Sequence, residues 1–385
     1  MELGAQAIGV VTRADPVPGG GSMTEGRLVQ PMLMVRATAA GARFTLQATA
    51  DLEGLTVPRG ELTPGAWGEG FFDRRHPHTY AHELMLTVTD PFGPLGGVHA
   101  SLSLGKGFAP FGTPDPMHRP TLRYPVNHHW SQVLERAVAV LGVRAGRVTA
   151  EAGLFNGDEP ERPGQWPRIR GRFGDSWAVR VQGTPLRGVT LQGSRAKVVS
   201  PEHRPGGGSP QFKWSASVLL ERPLGGGRLN ALLEWARSSE LAGFFVFHSA
   251  LAEGEWRSGR SRWYVRLERT ERPEEQRTLN PFRSVRPYIE NSILGATWFT
   301  LLTAGYGRTL GRAAFAELEP FAEVTVGTAR RSGPGIFDPK AFYGRNELWS
   351  ASVGLRMRTS GPLHLMGRYG VLAQEPPMAM PEPQH

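Results

Sequence analysis

The side chains with chemical potential in this 385-residue chain are above all arginines. Of 44 basic residues, all but Lys106, Lys197, Lys213 and Lys340 are arginine, and they are not gathered into a basic arm or helix. Arg36, Arg180, Arg262, Arg266, Arg356 and Arg358 lie in segments where Glu, Ser and Thr alternate with apolar residues. Carboxylates recur in the same segments at Glu151, Glu221, Glu268, Glu317, Glu319 and Glu323. Such rows can do one of two things. They can line an aqueous passage, where rings of positive charge favour anions, or they can pair with each other into a stabilised wall. The net charge of +9 leaves a modest surplus on the side of anion preference. Nucleic acid is not an expected partner, because the arginines are dispersed over alternating segments and no binding motif accompanies them.

Two further chemistries are open. His76, His78 and His82 lie close in sequence, as do Met117, His118, His128 and His129, and imidazole with thioether suits copper. His118, His128 and His129 are the candidate ligands of that alternative. Their spacing matches no established metal motif, and loop histidines commonly bond to backbone or water, so no metal or other cofactor is expected. Hydrolysis needs a nucleophile and a base within hydrogen-bond reach. No Gly-x-Ser-x-Gly elbow or His-Glu-x-x-His helix is present, and His248 and Ser249, adjacent in an extended segment, point to opposite faces. No enzyme is expected. Without cysteine there is neither a disulfide framework nor a thiolate metal site.

What must position these residues is a set of strands. Between Arg43 and Glu53 the chain alternates without a break: Phe44, Leu46, Ala48, Ala50 and Leu52 on one face, Arg43, Thr45, Gln47, Thr49, Asp51 and Glu53 on the other. The same code recurs in about sixteen segments. These centre on residues 5–13, 27–39, 43–53, 80–90, 97–106, 131–144, 147–155, 176–184, 188–199, 213–222, 227–237, 244–255, 261–271, 292–309, 313–329 and 347–359. Tryptophan stands at or near the start of the apolar row at Trp177, Trp214, Trp263 and Trp349, as suits an amphipathic ring at a membrane interface. Connections alternate between tight turns, as at residues 40–42, 145–146 and 185–187, and long polar loops, as at 54–79, 107–130, 156–175 and 272–291.

No apolar run approaches the roughly 18 to 20 residues of a transmembrane helix, and the mean hydropathy of −0.31 suits strands of which only every second residue meets lipid. Ten residues at about 3.3 Å, tilted near 45°, span roughly 23 to 25 Å, the height of an outer-membrane apolar band. A soluble sandwich would have shorter strands, and its core does not call for so regular an alternation of short and long connections. The predicted class is all-β: a transmembrane antiparallel barrel of about sixteen strands, with a range of 14 to 18.

This organisation, over nearly the whole chain, resembles that of the bacterial outer-membrane porins. The resemblance implies a water-filled lumen for passive diffusion of small hydrophilic or anionic solutes, short periplasmic turns and long outer loops. It also implies outer-membrane lipid and lipopolysaccharide around the barrel, and a homotrimer as the family's usual assembly. It further implies that the third outer loop, residues 107–130, folds into the barrel and narrows it. Four prolines between Pro110 and Pro120, with Pro125 beyond, stiffen this loop, and Phe108, Phe111 and Tyr124 are placed to pack it against a wall. Lys106, Asp115, His118, Arg119 and Arg123 then join the wall residues Arg36, Glu151, Arg180, Arg262, Arg266, Glu268, Glu317, Glu319, Arg356 and Arg358 as pore-lining or constriction candidates. Sixteen strands put both ends of residues 1–361 on the periplasmic side, leaving residues 362–385 as a periplasmic tail or a segment folded back as a plug. A seventeenth strand at 363–371 is the rival. A porin of the general type ends in a strand with a terminal aromatic, whereas this chain runs on through Pro-rich residues 375–385. The opening Met1-Glu2-Leu3-Gly4 has no signal-peptide pattern, so an export signal is expected to have been removed or to lie upstream.

Overall fold

The computed structural model describes residues 1–56, 78–157, 160, 163–167, 173–199, 210–275, 293–313, 316–359 and 365–373. His76 and residues 375–385, singled out above, lie outside them. The strands are β1 (Glu2–Asp15), β2 (Met23–Ala39), β3 (Phe44–Asp51), β4 (Ala81–Thr89), β5 (Val98–Gly107), β6 (Arg136–Ala145), β7 (Val148–Phe155), β8 (Ser176–Leu186), β9 (Val189–Val198), β10 (Gln211–Leu224), β11 (Gly227–Glu240), β12 (Phe245–Ser258), β13 (Ser261–Glu275), β14 (Ile293–Arg308), β15 (Gly311–Ala313), β16 (Ala316–Ser332) and β17 (Glu347–Thr359). Consecutive strands pair antiparallel, except that β14 pairs with β16 rather than with the short β15, and β1 pairs with both β2 and β17, which closes the sheet. The short β15 continues the stave begun by β14, since both pair with β16. The seventeen strands therefore make sixteen staves, the number read from the alternation. Closure leaves no edge strand and satisfies the backbone of every stave by its neighbours.

The polarity of the wall is the reverse of a soluble core. On β3 the apolar Phe44 and Leu46 are exposed and Gln47, Thr49 and Asp51 are buried. On β8 Val179 and Val181 face out while Arg180 is 1% exposed. Leu102, Leu141, Leu154, Leu191, Leu233, Leu267, Leu302, Val324 and Val353 continue an exposed apolar band around the outside. A patch of that extent is foreign to the surface of a soluble monomer. Aromatic rings mark both of its edges. Trp177, Trp214, Trp298 and Trp349 stand near the long-loop end, where Arg237 and Arg269 cover Trp214 and Trp298 at 4.8 and 4.7 Å. Trp263 and Tyr306 pair near the short-turn end, ring centroids 4.3 Å apart.

The largest shift of a strand boundary is at the sixth strand. The sixth strand starts at Arg136 rather than near residue 131, because Val133 is still tied to the third loop through the bond from Ala109 N to its carbonyl (3.0 Å). Glu135 then turns the chain with a positive φ of 50°. The rival seventeenth strand at 363–371 does not form among the described residues, in keeping with the expected sixteen: residues 370–373 make a helical turn inside the barrel.

Candidate functional site

Residues 108–135 run from β5 across the lumen to β6. Each proline removes a donor and leaves a carbonyl to be satisfied; the wall answers both needs with charge. Carboxylates accept the loop's N–H groups: Leu122 N donates to Glu323 at 2.7 Å, Arg123 N to the same carboxylate at 3.3 Å, and Val126 N to Glu268 at 2.7 Å. Asn127 Nδ2 and the Thr113 hydroxyl both donate to Glu234. Basic side chains donate to the loop's carbonyls: Arg262 to Pro120 (2.9 Å), Arg266 to Arg123 (2.6 Å), Arg272 to Val126 (2.9 Å) and Lys213 to His129 (2.8 Å).

Apolar contacts complete the docking. Phe108 packs with Met32, Met34, Met117 and Met366, and Phe111 with Met85, Val138, Val140 and Phe155. Trp130 stacks on Phe247 with centroids 5.6 Å apart. Gly112 fits tightly where the loop approaches itself: its φ is +67°, and a Cβ there would meet the Ser131 carbonyl oxygen at 1.6 Å.

The described part of the tail is not a free periplasmic extension. Residues 365–373 re-enter the barrel and pack on the β3–β9 wall and the third loop. Gly367 N and the Tyr369 hydroxyl both donate to Glu83 (3.1 and 2.8 Å), and Phe108 N donates to the Tyr369 hydroxyl (3.0 Å). Arg180 reaches the Gly367 carbonyl, Gln47 the Arg368 carbonyl, and Val371 N the Ser101 hydroxyl (3.2, 3.2 and 3.1 Å). Burial, with the Glu83 carboxylate beside it, holds the Tyr369 hydroxyl well above its ordinary pKa, so it remains a donor. The physical reason for the return is an inward-facing slot of small and polar residues, including Ser101 and Gly142, against which Val371 and Gly370 close.

The candidate lining residues all lie on the inner wall, on the loop or at its base, and most are committed to partners. Arg180 pairs with Glu151 at 2.6 Å, Arg262 with Glu319 at 2.5 Å and Glu255 at 3.3 Å, and Arg266 with Glu253 at 2.5 Å. Arg356 reaches Glu319 at 3.3 Å, Arg358 Glu317 at 3.1 Å, Arg119 Glu234 at 3.2 Å, and Lys106 Glu135 at 3.2 Å. Arg123 pairs with Glu268, and Arg36 is 3.9 Å from Glu2. Asp115 caps Met117 N inside the loop (2.8 Å), and His118 Nε2 accepts from Met366 N (3.3 Å).

Glu234, Glu253 and Glu255 were missed by sequence reasoning. The latter two alternate with Ala252 and Gly254, small residues that blunt the apolar period; Glu234, between Leu233 and Trp235, was legible from parity alone.

Beside the start of the described tail, at Leu365, a cavity of about 270 Å³ remains, bounded by Arg119 and His118 of the loop and by Arg257, Arg262, Arg356 and Arg358 of the wall, with Glu221, Glu253 and Glu255 among them. The register puts it between the loop and the short-turn end. His118, His128 and His129 are not gathered. His128 packs on Tyr124 and His129 (5.3 and 5.2 Å between centroids), while His118 meets the tail. Ser249 faces inward and bonds to Thr270 (2.9 Å), on the opposite face from His248.

Comparison with solved structures finds the same architecture over 93% of this chain. One match is an anion-selective porin from Comamonas acidovorans, at 10% identity, 98% of that chain and a TM-score of 0.53. Another is Salmonella typhi OmpF in complex with daunomycin, at 9% identity, 97% of that chain and a TM-score of 0.52. A third is in-vitro folded OmpT, an outer membrane protein of Vibrio cholerae in its trimer form, at 10% identity, 98% of that chain and a TM-score of 0.50. The fold is porin-like. At such identity the likeness is one of fold, and no protein-family model and no curated protein matches the chain. In this porin-like barrel both the third loop and the described part of the tail pack inside the wall.

Proposed function

We propose that this chain is an outer-membrane channel for passive diffusion of small hydrophilic solutes, weakly selective for anions and without catalytic activity. The observation that carries the reading is the inverted wall: an exposed apolar band between two aromatic rows outside, and buried charge inside around a cavity that the loop does not fill. Such a band is stable against lipid, whose acyl chains take the place of a core. The short-turn end then faces the periplasm, and the third loop acts as the constriction. Arg119, Arg257, Arg262, Arg356 and Arg358 outnumber Glu221, Glu253 and Glu255 on the cavity surface. The pairing of most of these arginines keeps the anion preference weak. The porin-like relatives support the channel reading, and the trimer form of one of them supports a homotrimer in lipid and lipopolysaccharide.

Planar-bilayer recording of the purified protein in a salt gradient tests this. The expected result is an open channel whose reversal potential is displaced modestly toward that of the anion, with Arg257→Glu and Arg358→Glu together moving it toward the cation. A folded protein that inserts without conductance refutes the reading.

A further inference from the structure

Next to the third loop's base lies a cluster that the permeation reading does not use. Asp51 ends β3, Glu53 opens the helical turn Glu53–Thr56, and His78 precedes β4. Each carboxylate is anchored to backbone by one oxygen: Glu53 N donates to Asp51 Oδ1 (2.8 Å) and Gln30 N to Glu53 Oε1 (2.7 Å). The other two oxygens converge on one imidazole nitrogen, with Asp51 Oδ2 and Glu53 Oε2 at 3.3 and 2.8 Å from His78 Nδ1. Asp51 is fully buried, and beyond this ion pair its Oδ2 accepts no hydrogen bond among the described residues.

A second imidazole stands beside the first. The His82 ring lies edge-on to His78 with centroids 5.0 Å apart. Its Nδ1 is bonded to Glu135 at 2.6 Å, and Glu135 is fixed in turn by Thr79 N (3.1 Å) and Lys106 (3.2 Å). This leaves His82 Nε2 fully buried and without a partner among the described residues. A carboxylate that holds one ring nitrogen and frees the other is the arrangement that orients metal-binding histidines.

We propose that Asp51, Glu53 and His78 bind a divalent first-row transition-metal ion, with His82 as the adjoining imidazole. The three donor atoms already lie within 4.8 Å of one another. Bonds of about 2.0 to 2.2 Å in a tetrahedral zinc site put donors roughly 3.3 Å apart, so His78 Nδ1 already stands near that spacing from both carboxylates. Binding replaces the proton held between His78 and the carboxylates, which leaves to solvent, and needs no change of oxidation state. Two carboxylates with imidazole and no thiolate suit Zn²⁺, Co²⁺ or Mn²⁺. The ion joins the end of β3, the turn that follows it and the start of β4, alongside the third loop's anchor at Glu135.

The test is equilibrium dialysis of the chelator-treated, detergent-folded protein against Zn²⁺ alone, with metal counted by mass spectrometry and Mg²⁺ as control. The expected result is one Zn²⁺ per chain. Asp51→Asn and His78→Ala each weaken it at least tenfold, whereas the outward-facing His248→Ala leaves it unchanged. X-ray absorption at the zinc edge should show mixed nitrogen and oxygen ligands and no sulfur. Heat-modified gel mobility confirms that each variant is folded; Glu53→Gln, which keeps the shape, stands in for any that is not. The proposal is overturned if the folded wild type takes up no stoichiometric Zn²⁺, or if uptake is the same in Asp51→Asn, Glu53→Gln and His78→Ala.

Discussion

Replacing Tyr369 should release the tail from the lumen. The ring is 2% exposed and packs in the cluster that holds Met85, Phe111 and Val138. Truncating a buried aromatic to alanine costs about 3 to 5 kcal/mol. Part of that is the loss of a donor to Glu83 and of an acceptor for Phe108 N. Since about 1.4 kcal/mol is a factor of ten, Tyr369→Ala should shift the docking equilibrium of residues 365–373 by roughly a thousandfold. Tyr369→Phe keeps the ring and loses only the hydroxyl, about 1 to 2 kcal/mol or roughly tenfold. Single-channel conductance should therefore rise in the order wild type, Tyr369→Phe, Tyr369→Ala, with deletion of residues 362–385 as the upper limit. Hydrogen exchange at Gly367 and Val371, whose N–H groups are bonded to Glu83 and Ser101, should accelerate in the same order. A folded deletion variant that conducts like the wild type would refute the reasoning, because the tail would then occupy no part of the conducting path.

Three other perturbations address the loop. Glu323→Ala leaves Leu122 N and Arg123 N without their acceptor; at about 2 kcal/mol net, exchange at these amides should quicken roughly thirtyfold and open-channel noise should grow. Gly112→Ala forces a Cβ onto the Ser131 carbonyl at a positive φ, a cost of about 3 kcal/mol or more, so the protein should show a lower Tm or a displaced loop, read by conductance. Burial by itself would raise the Glu135 carboxyl, but the His82 ring, their hydrogen bond and Lys106 lower it from 4.5 to about 2. A depressed carboxylate contributes stability that is present above its ordinary pKa and lost as pH falls toward the folded value. Protection of Thr79 N, which Glu135 accepts, should therefore hold above about pH 4.5 and decline between there and about pH 2, and should be insensitive to acid in Glu135→Gln.

The barrel was legible because its code is local. Alternation at Phe44 to Asp51, or at Trp177 to Val181, states which face is wet regardless of the rest of the chain, and the parity of turns and loops fixes the count of staves. Loop insertion was signalled by prolines and aromatics, but its docking was not, since the partners of Leu122 and Val126 lie some 200 and 142 positions away. The tail is the instructive case. Met366 and Tyr369 carry no periodicity, and the slot that receives them exists only once Glu83, Ser101 and Phe108 are brought together by closure.

The same distance dependence explains why wall charge was hard to assign between selectivity and structure. A proline-rich loop crossing a wide barrel brings backbone groups of both kinds into a region from which bulk water is largely displaced, and each unmet group costs about 1 to 3 kcal/mol. A wall of one sign could satisfy only half of them: arginine has no acceptor and an ionised glutamate no donor. Mixed rows meet both needs, and the pairs left over, such as Arg262 with Glu319 and Arg266 with Glu253, neutralise each other at 2.5 Å. Charge that holds the loop is thus withdrawn from permeating ions. In the proposed channel, selectivity would fall to the cavity arginines with the most exposed heads, Arg257 at 38% and Arg358 at 22% of the side chain, and reversing those two should move the reversal potential further than reversing any buried pair.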